Sequence, residues 1–317
     1  MGTPGSSRAR TARALQAVTA AFVWSSYYVF VLWLDPIAGV AAVLVYPFLL
    51  GGLLFLGLAL AQGDGGAFRR LWREPEAWAR IGLVAVMQLA TLAATYTAGP
   101  IDSSLLALLG DVIMVPLLLM VLFGEDRPLG RSPWFLGGVL ACLVGGSLTI
   151  VAGASLVAVS GWALVILPAL PLSIGLYFLS VARASRRQPM AALNAHAYLG
   201  ASLLIAAVAP VLPGGAAGLV TENPVAIGLL AVLGISTFFL APYLYFVAAA
   251  RGNLVATAMW MSLIPAFTLL FSFVALGLVP TALGALGIPI AIAGAFLALE
   301  GQRRLPGADA SPPALTE

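Results

Sequence analysis

The chain has 317 residues, of which 62% are hydrophobic and 9% charged, with a net charge of +3. Soluble globular domains carry about 45–50% apolar and about 25% charged residues, so this composition excludes them and indicates a polytopic membrane protein. All 15 basic residues are arginines, which excludes a P-loop and a lysine Schiff base, and a single His and a single Cys exclude a zinc site and an intrachain disulfide.

Ten apolar segments follow one another along the chain, each long enough for a membrane-spanning helix of about 20 residues. They cover 14–34, 37–61, 79–98, 101–123 and 133–153, and then 159–182, 190–212, 225–250, 254–277 and 280–299. The stretches 1–13 and 301–317 are expected to be disordered arms on the cytoplasmic side. The sequence therefore predicts an all-α integral membrane protein with ten transmembrane helices.

The arginines fall on one side of this ten-helix arrangement. The N-terminal arm, the even-numbered connections and the tail hold all 15, whereas the opposite loops hold only Asp35, Asp102 and Glu222 as charged residues. By the positive-inside rule the arginine side is cytoplasmic, with both termini inside a cell membrane that we expect to be a bacterial plasma membrane. The basic charge then faces anionic lipid of the bilayer, and no nucleic-acid partner is expected.

The chain is duplicated. A shift of 153 residues brings Pro36 onto Pro189, and Gly99 onto Gly252, each pair at the same place in its half. The repeats are 14–153 and 159–300, and because each contains five helices they must insert with opposite topology. Two inverted five-helix repeats are typical of secondary transporters, which hold their substrate near the midplane between the halves.

Polar residues inside apolar helices are the candidates for a substrate pathway, because they are costly in lipid. Gln88, Thr91 and Thr95 form one stripe on the third helix, Trp24 and Tyr28 share a face of the first, and Tyr177 lies on the sixth. Hydrogen bonding between helices is the alternative interpretation of such residues.

Asp111 is the strongest single candidate. It lies at the midpoint of the fourth helix, on a face shared with Ser104 and Met114. The repeat maps this face onto Thr257 and Trp260 of the ninth helix, so an acidic wall is predicted opposite an aromatic one. The alternative is a neutral, hydrogen-bonded aspartic acid with a structural role.

Small residues recur every four positions on the fifth and tenth helices. They are Gly138, Cys142 and Gly146 on one and Gly287, Ala291 and Ala295 on the other. Such ridges let helices approach closely, and packing within the fold is favoured over a dimer interface. The chain is thus expected to be a monomer or a weak homodimer.

Three segments resemble the drug/metabolite transporter superfamily in its ten-helix EamA-like branch: Trp24-Ser25-Ser26, Leu106 to Gly124-Glu125, and Ser262 to Phe267. Two positions depart from the family pattern, since Val112 stands where a proline is usual and Leu278 where a glutamate is usual.

The resemblance implies a secondary-active transporter of an amino acid, an amino-acid-like solute or a drug-like solute, often an exporter, that works by alternating access. Energy would come from a coupling proton, another ion or the solute gradient, and no cofactor or metal is expected. The alternatives are an intramembrane lipid-modifying enzyme, which needs clustered acids, histidines or thiols, and a non-transporting scaffold.

Overall fold

The computed structural model describes residues 4–115, 117–118, 121, 130–153, 161–212, 214–250, 257 and 260–304. The first half contains α1 (Pro4–Leu34), α2 (Val40–Ala61), α3 (Gly65–Leu71), α4 (Pro75–Ala98), α5 (Pro100–Leu109) and α6 (Pro133–Gly153). The second contains α7 (Gly161–Ala184), α8 (Met190–Val208), α9 (Pro224–Ile235), α10 (Ala241–Ala250), α11 (Ile264–Leu276) and α12 (Ala282–Arg303).

Within the described residues, five stretches of helix are long and apolar enough to cross a membrane: Thr11–Leu34, Val40–Ala61, Pro75–Thr97, Met190–Val211 and Pro224–Ala249. Five shorter apolar helices accompany them among the described residues: Pro100–Leu109, Pro133–Leu148, Pro168–Ala184, Ile264–Leu276 and Ala282–Ala298. Each of the ten predicted segments thus contains an apolar helix. The all-α membrane fold predicted from the sequence is confirmed.

The helices differ from the predicted segments at several ends, and helix α12 continues to Arg303, inside the arm predicted at 301–317. Three differences are larger. Helix α1 begins at Pro4, inside the arm for which no regular structure is expected. The short α3, which the sequence pattern did not predict, buries Leu71 and exposes Arg69 and Arg70. Helix α11 begins only at Ile264, because a turn at 262–263 precedes Pro265, and proline favours the first turn of a helix. The tail beyond residue 304 and the end of the fourth predicted span at 122–123 lie outside the described residues.

In the part of the chain that the structure describes, two π-helical turns interrupt the membrane helices. One, Gly110–Met114, continues α5, and the other, Ser236–Leu240, joins α9 to α10. Each turn is followed by one residue and then a proline, Pro116 or Pro242. A proline ring clashes with the carbonyl four residues earlier and has no N–H to donate, so a locally wider turn relieves the clash.

The helices pack with an approximate two-fold symmetry. Across the boundary between the halves, α2 packs on α8, α5 on α11 and α6 on α12. Helix α4 packs on α7 and α8, and the corresponding α9–α10 of the second half packs on α1 and α2. Each of these pairings is reproduced when the halves are exchanged, as the predicted duplication requires.

Helices α6 and α12 approach each other with backbone against backbone. A Cβ atom on Gly138 would lie 2.2 Å from the backbone nitrogen of Ala298, and one on Gly145 would lie 2.4 Å from that of Ala291. Gly146, which the sequence pattern placed on this ridge, has nothing within 4 Å of such a Cβ. The small residues therefore pack within the chain, and the ridge uses Gly145 in place of Gly146.

Candidate functional site

A cavity of about 90 Å³ lies between the two halves. The first half lines it with Trp24, Tyr27, Tyr28, Phe48, Met87, Gln88, Thr91 and Ala107. The second half lines it with Ile174, Tyr177, Phe178, Tyr198, Thr237, Phe238 and Ile264. A cavity needs at least about 10–15 Å³ on this scale to hold one water, so this cavity has room for more than one water-sized group.

Aromatic rings form most of the cavity wall and meet across the boundary between the halves. The ring centroids of Phe48 and Phe238 are 4.3 Å apart, and those of Phe48 and Tyr198 are 5.1 Å apart in an edge-on contact. Trp24 meets Phe178 edge-on at 5.9 Å. Such pairs contribute about 0.5–1.5 kcal/mol each beyond their burial, so the wall holds the halves together as well as enclosing the space.

The π turn at Ser236–Leu240 exposes a backbone carbonyl to a cavity residue. The N–H of Ala241 bonds to the carbonyl of Ser236 across this turn, and Pro242 has no N–H for the carbonyl of Thr237. The indole Nε1 of Trp24 donates to that carbonyl oxygen at 3.1 Å. The side chain of Trp24, from the first half, thus bonds to a carbonyl of the second half that lacks its usual helical N–H donor.

Most polar groups of the wall are engaged by the protein. Gln88 Nε2 donates to the Tyr27 hydroxyl, and Tyr177 donates its hydroxyl to Asn194 Oδ1 at 3.0 Å. The Thr91 hydroxyl donates to the backbone carbonyl of Met87 at 2.7 Å. The Thr237 hydroxyl is different, because it is buried and has no hydrogen-bond partner.

Five of the residues predicted for a substrate pathway line this one cavity: Trp24, Tyr28, Gln88, Thr91 and Tyr177. They come from α1, α4 and α7, which the sequence pattern alone did not bring together. Helical spacing had already placed Gln88 and Thr91 on one face, and that face is the one that α4 presents to the cavity.

Five other predicted residues lie outside the cavity lining. The hydroxyl of Thr95 donates to the carbonyl of Thr91 at 2.8 Å, and that of Ser104 donates to the carbonyl of Ile101 at 2.6 Å. Met114 lies against α7, where a Cβ on Gly175 would be 2.8 Å from its own Cβ. Trp260 packs edge-on against Phe296 with 6.3 Å between centroids, and Thr257 is buried at 5% exposure. Met114 lies in the π turn that follows α5, and Thr257 and Trp260 precede the turn at which α11 begins, so these three do not keep the register of one straight span.

The side chain of Asp111 lies outside the described residues. Its backbone belongs to the π turn Gly110–Met114. Two described neighbours bear on its prediction: Ala107, one turn earlier on the helix, and Ile264, its counterpart under the 153-residue shift, both line the cavity. A role for Asp111 in the pathway stays a prediction.

Residues that sequence reasoning missed are related by the repeat when the helices are aligned at their first residues. Phe48 and Tyr198 each lie eight positions after the start of α2 and α8. Gln88 and Thr237 each lie 13 positions after the proline that begins α4 and α9. Alignment at these helix starts, in place of one shift for the whole chain, would have led from the predicted Gln88 to Thr237.

Comparisons with known proteins bear on the fold and on the family of the second half. Residues 159–299 match the EamA-like transporter family. A solved structure described only as a crystal structure of a protein superposes with a TM-score of 0.70 at 20% identity, covering 92% of this chain and 98% of that chain, and therefore shares the fold. No curated protein matches the chain. The second half of the chain is thus similar to the EamA-like transporter family, and the apolar helices are those of a multi-pass membrane protein.

Proposed function

We propose that this protein is an EamA-like secondary-active transporter that moves a small solute across a membrane by alternating access, with the aromatic cavity as its central site. One observation carries the proposal: eight residues of the first half and seven of the second line the same buried space. A site shared in this way changes its access when one half rocks against the other.

The two π turns are suited to such motion. Each stands next to a proline, where the helix lacks a regular hydrogen bond, and such positions bend more easily than continuous helix. They lie on α5 and on α9–α10, one in each half. Bending at these points would tilt the halves of a helix without breaking the seam between α6 and α12.

The wall chemistry supports a solute with an apolar or cationic body. Rings of Trp24, Tyr28 and Tyr177 offer flat apolar surface and, to a cation, the negative faces of their π systems. An amino-acid-like or drug-like solute fits this description, and export is the direction we propose. The energy would come from a proton, another ion or the solute gradient, with Asp111 as the residue that binds either the cation or the solute.

In the orientation that the arginines predict, both termini are cytoplasmic and the membrane is a bacterial plasma membrane. Tyr177 and Asn194 then lie on the cytoplasmic side of the cavity, and the bonded cluster of Thr91, Thr95 and Ser103 lies on the outer side. These clusters would be the parts that separate when the cavity opens toward either face.

The test is solute flux in liposomes containing the purified protein, with a panel of labelled amino acids and organic cations and an imposed proton gradient. Ala107→Phe fills the cavity, since Ala107 is 6% exposed on its wall. Ala293→Phe is the matched control, because Ala293 lies on an exposed position of α12. We expect Ala107→Phe to abolish flux and Ala293→Phe to keep it.

Three results would contradict the proposal. Normal flux in Ala107→Phe would show that the solute does not pass through this cavity. Chemical conversion of a lipid or solute, detected by mass spectrometry, would favour the intramembrane enzyme. No flux of any solute with correctly folded protein would favour a scaffold.

A further inference from the structure

Thr237 is a polar residue of the cavity wall whose hydroxyl has no hydrogen-bond partner among the described residues. Its exposure is 2%, it lines the cavity, and its Oγ1 has no hydrogen-bond partner. Threonines in membrane helices usually donate to the carbonyl four residues earlier, as Thr91 and Thr95 do here at 2.7 and 2.8 Å. Thr237 departs from this habit.

The surrounding backbone holds Thr237 in place. Its carbonyl accepts the indole N–H of Trp24 at 3.1 Å, and it lies within the π turn that joins α9 to α10. The residue is thus anchored through its backbone to α1, while its hydroxyl stays available. A buried polar group without a partner is costly, so an arrangement that leaves one on a cavity wall points to a missing ligand group.

The repeat provides a comparison. Gln88 occupies the same position of α4 that Thr237 occupies in α9–α10, and both line the cavity. The Gln88 amide already donates to the Tyr27 hydroxyl. Of this related pair, the second-half member is the one whose side chain makes no hydrogen bond to the described part of the protein.

We propose that the Thr237 hydroxyl is a solute-binding group that recognises an uncharged hydroxyl or carbonyl carried on a small ring-containing body. The ring would lie against the aromatic wall, for example Phe238 and Tyr198, and the polar group would complete the bonding of Thr237. This inference rests on the proposed function in placing the solute in the same cavity, and it adds the group that gives specificity.

The experiment compares two probes that differ by one hydroxyl, 4-fluorobenzyl alcohol and 4-fluorotoluene. Their binding to the full-length protein in nanodiscs is measured by ¹⁹F NMR, with empty nanodiscs to subtract partition into lipid. One net hydrogen bond changes affinity about two- to twelvefold. We expect wild type to bind the alcohol more tightly than the toluene, relative to their lipid partition, by a factor in that range.

Thr237→Val keeps the shape of the side chain and removes the hydroxyl, and Thr237→Ser keeps the hydroxyl. We expect Thr237→Val to lose the preference for the alcohol and Thr237→Ser to keep it. The melting temperature of Thr237→Val without probe should be unchanged or higher, because an unsatisfied buried hydroxyl is replaced by an apolar group of similar shape.

Thr268→Val is the matched control. Thr268 is fully buried on α11, its hydroxyl also has no partner, and it does not line the cavity. This variant should share the unchanged or raised melting temperature and keep the wild-type preference for the alcohol.

The inference is overturned if Thr237→Val keeps the preference, if Thr268→Val loses it equally, or if wild type binds neither probe. None of these results decides the outcome of the liposome test of the proposed function. Solute flux that is blocked by Ala107→Phe would still support the transporter when the inference about Thr237 has failed.

Discussion

The seam between α6 and α12 and the wall of the cavity both join the two halves, but they are built from opposite side chains. At the seam, glycines leave no space, and a Cβ on Gly294 would lie 2.5 Å from the backbone nitrogen of Cys142. At the wall, large rings such as Phe48 and Phe238 meet with 4.3 Å between centroids around an open space.

The difference has a physical consequence. A backbone-to-backbone contact has one close-packed arrangement, whereas rings can slide and change rotamer while they stay in contact. The seam is therefore suited to act as the fixed axis of the molecule, and the wall as the part that rearranges around a solute. Substitutions at the seam should affect folding, and substitutions at the wall should affect transport.

Gly138→Val should break the seam and have the largest effect. Its Cβ would lie 2.2 Å from the backbone nitrogen of Ala298 and 2.5 Å from the carbonyl oxygen of Gly294, and neither backbone can move independently. We expect a loss of about 3 kcal/mol, the upper end of what overpacking costs, and little folded protein by size-exclusion chromatography. Gly146→Val on the same helix meets nothing within 4 Å and is the control. Equal yields of the two variants would contradict the seam.

Asp111→Asn should abolish transport, or its pH dependence, and leave folding intact. Asp111 follows the cavity residue Ala107 by one turn and maps onto the cavity residue Ile264. Loss of its carboxylate should therefore weaken binding of the solute or of the coupling ion. Flux is measured in liposomes at pH values from about 5 to 9, which cover most of the range between carboxyl and thiol ionisation. Normal transport across that whole range would rule out a functional role for this residue.

Trp24→Phe should weaken the wall by a smaller amount. It removes the donor to the Thr237 carbonyl, bonded at 3.1 Å, and leaves that oxygen unpaired next to Pro242. An unsatisfied buried group costs about 1–3 kcal/mol, which should lower the melting temperature and slow flux several-fold.

Trp260→Phe is the comparison for Trp24→Phe. Trp260 packs on Phe296 away from the cavity, so this variant should keep the wild-type flux. Loss of flux in both variants alike would show that the effect is general loss of aromatic packing.

More of the fold than of the candidate site could be predicted from the sequence. Apolar run length and arginine position follow directly from the bilayer, so the helices and the duplication could be predicted. The predicted stripe on α4 reached the cavity with Gln88 and Thr91 because α4 is an uninterrupted helix. From the faces predicted for the fourth and ninth spans, Ala107 and Ile264 reach the cavity but Met114 and Trp260 do not, since a π turn and a turn before Pro265 change the helix register between them, and hydropathy does not reveal such changes.

Thr237 is a cavity residue that the sequence pattern did not predict. A threonine in an apolar run has no distinguishing pattern, and its role depends on the π turn before Pro242 and on Trp24 from the other half. Both are consequences of tertiary packing. The sequence signal that does exist is positional: Thr237 lies as far from Pro224 as Gln88 lies from Pro75.

Cys142→Ser should have the smallest effect, although Cys142 lies fully buried in the seam. Its Sγ donates to the carbonyl oxygen of Ala291 at 3.2 Å, and a serine hydroxyl can donate to the same oxygen from a slightly smaller side chain. We expect a stability change within about 1 kcal/mol, measured by thermal melting, because the hydrogen bond is kept and little volume is lost. Cys142→Ala, which cannot donate, is the variant that separates the bond from the packing.

The Cys142→Ser protein then provides the background for testing orientation with single cysteines at exposed loop positions. Glu222, Arg70 and Arg186 are all exposed, so access to a reagent depends on the side of the membrane and not on burial. Glu222→Cys should react with an impermeant maleimide added to intact cells, and Arg70→Cys and Arg186→Cys should react only after permeabilisation. Because the positive-inside rule assigns every arginine to one side, labelling of Arg70→Cys in intact cells would reverse the orientation, and with it the side of the cavity on which Tyr177 and Asn194 lie.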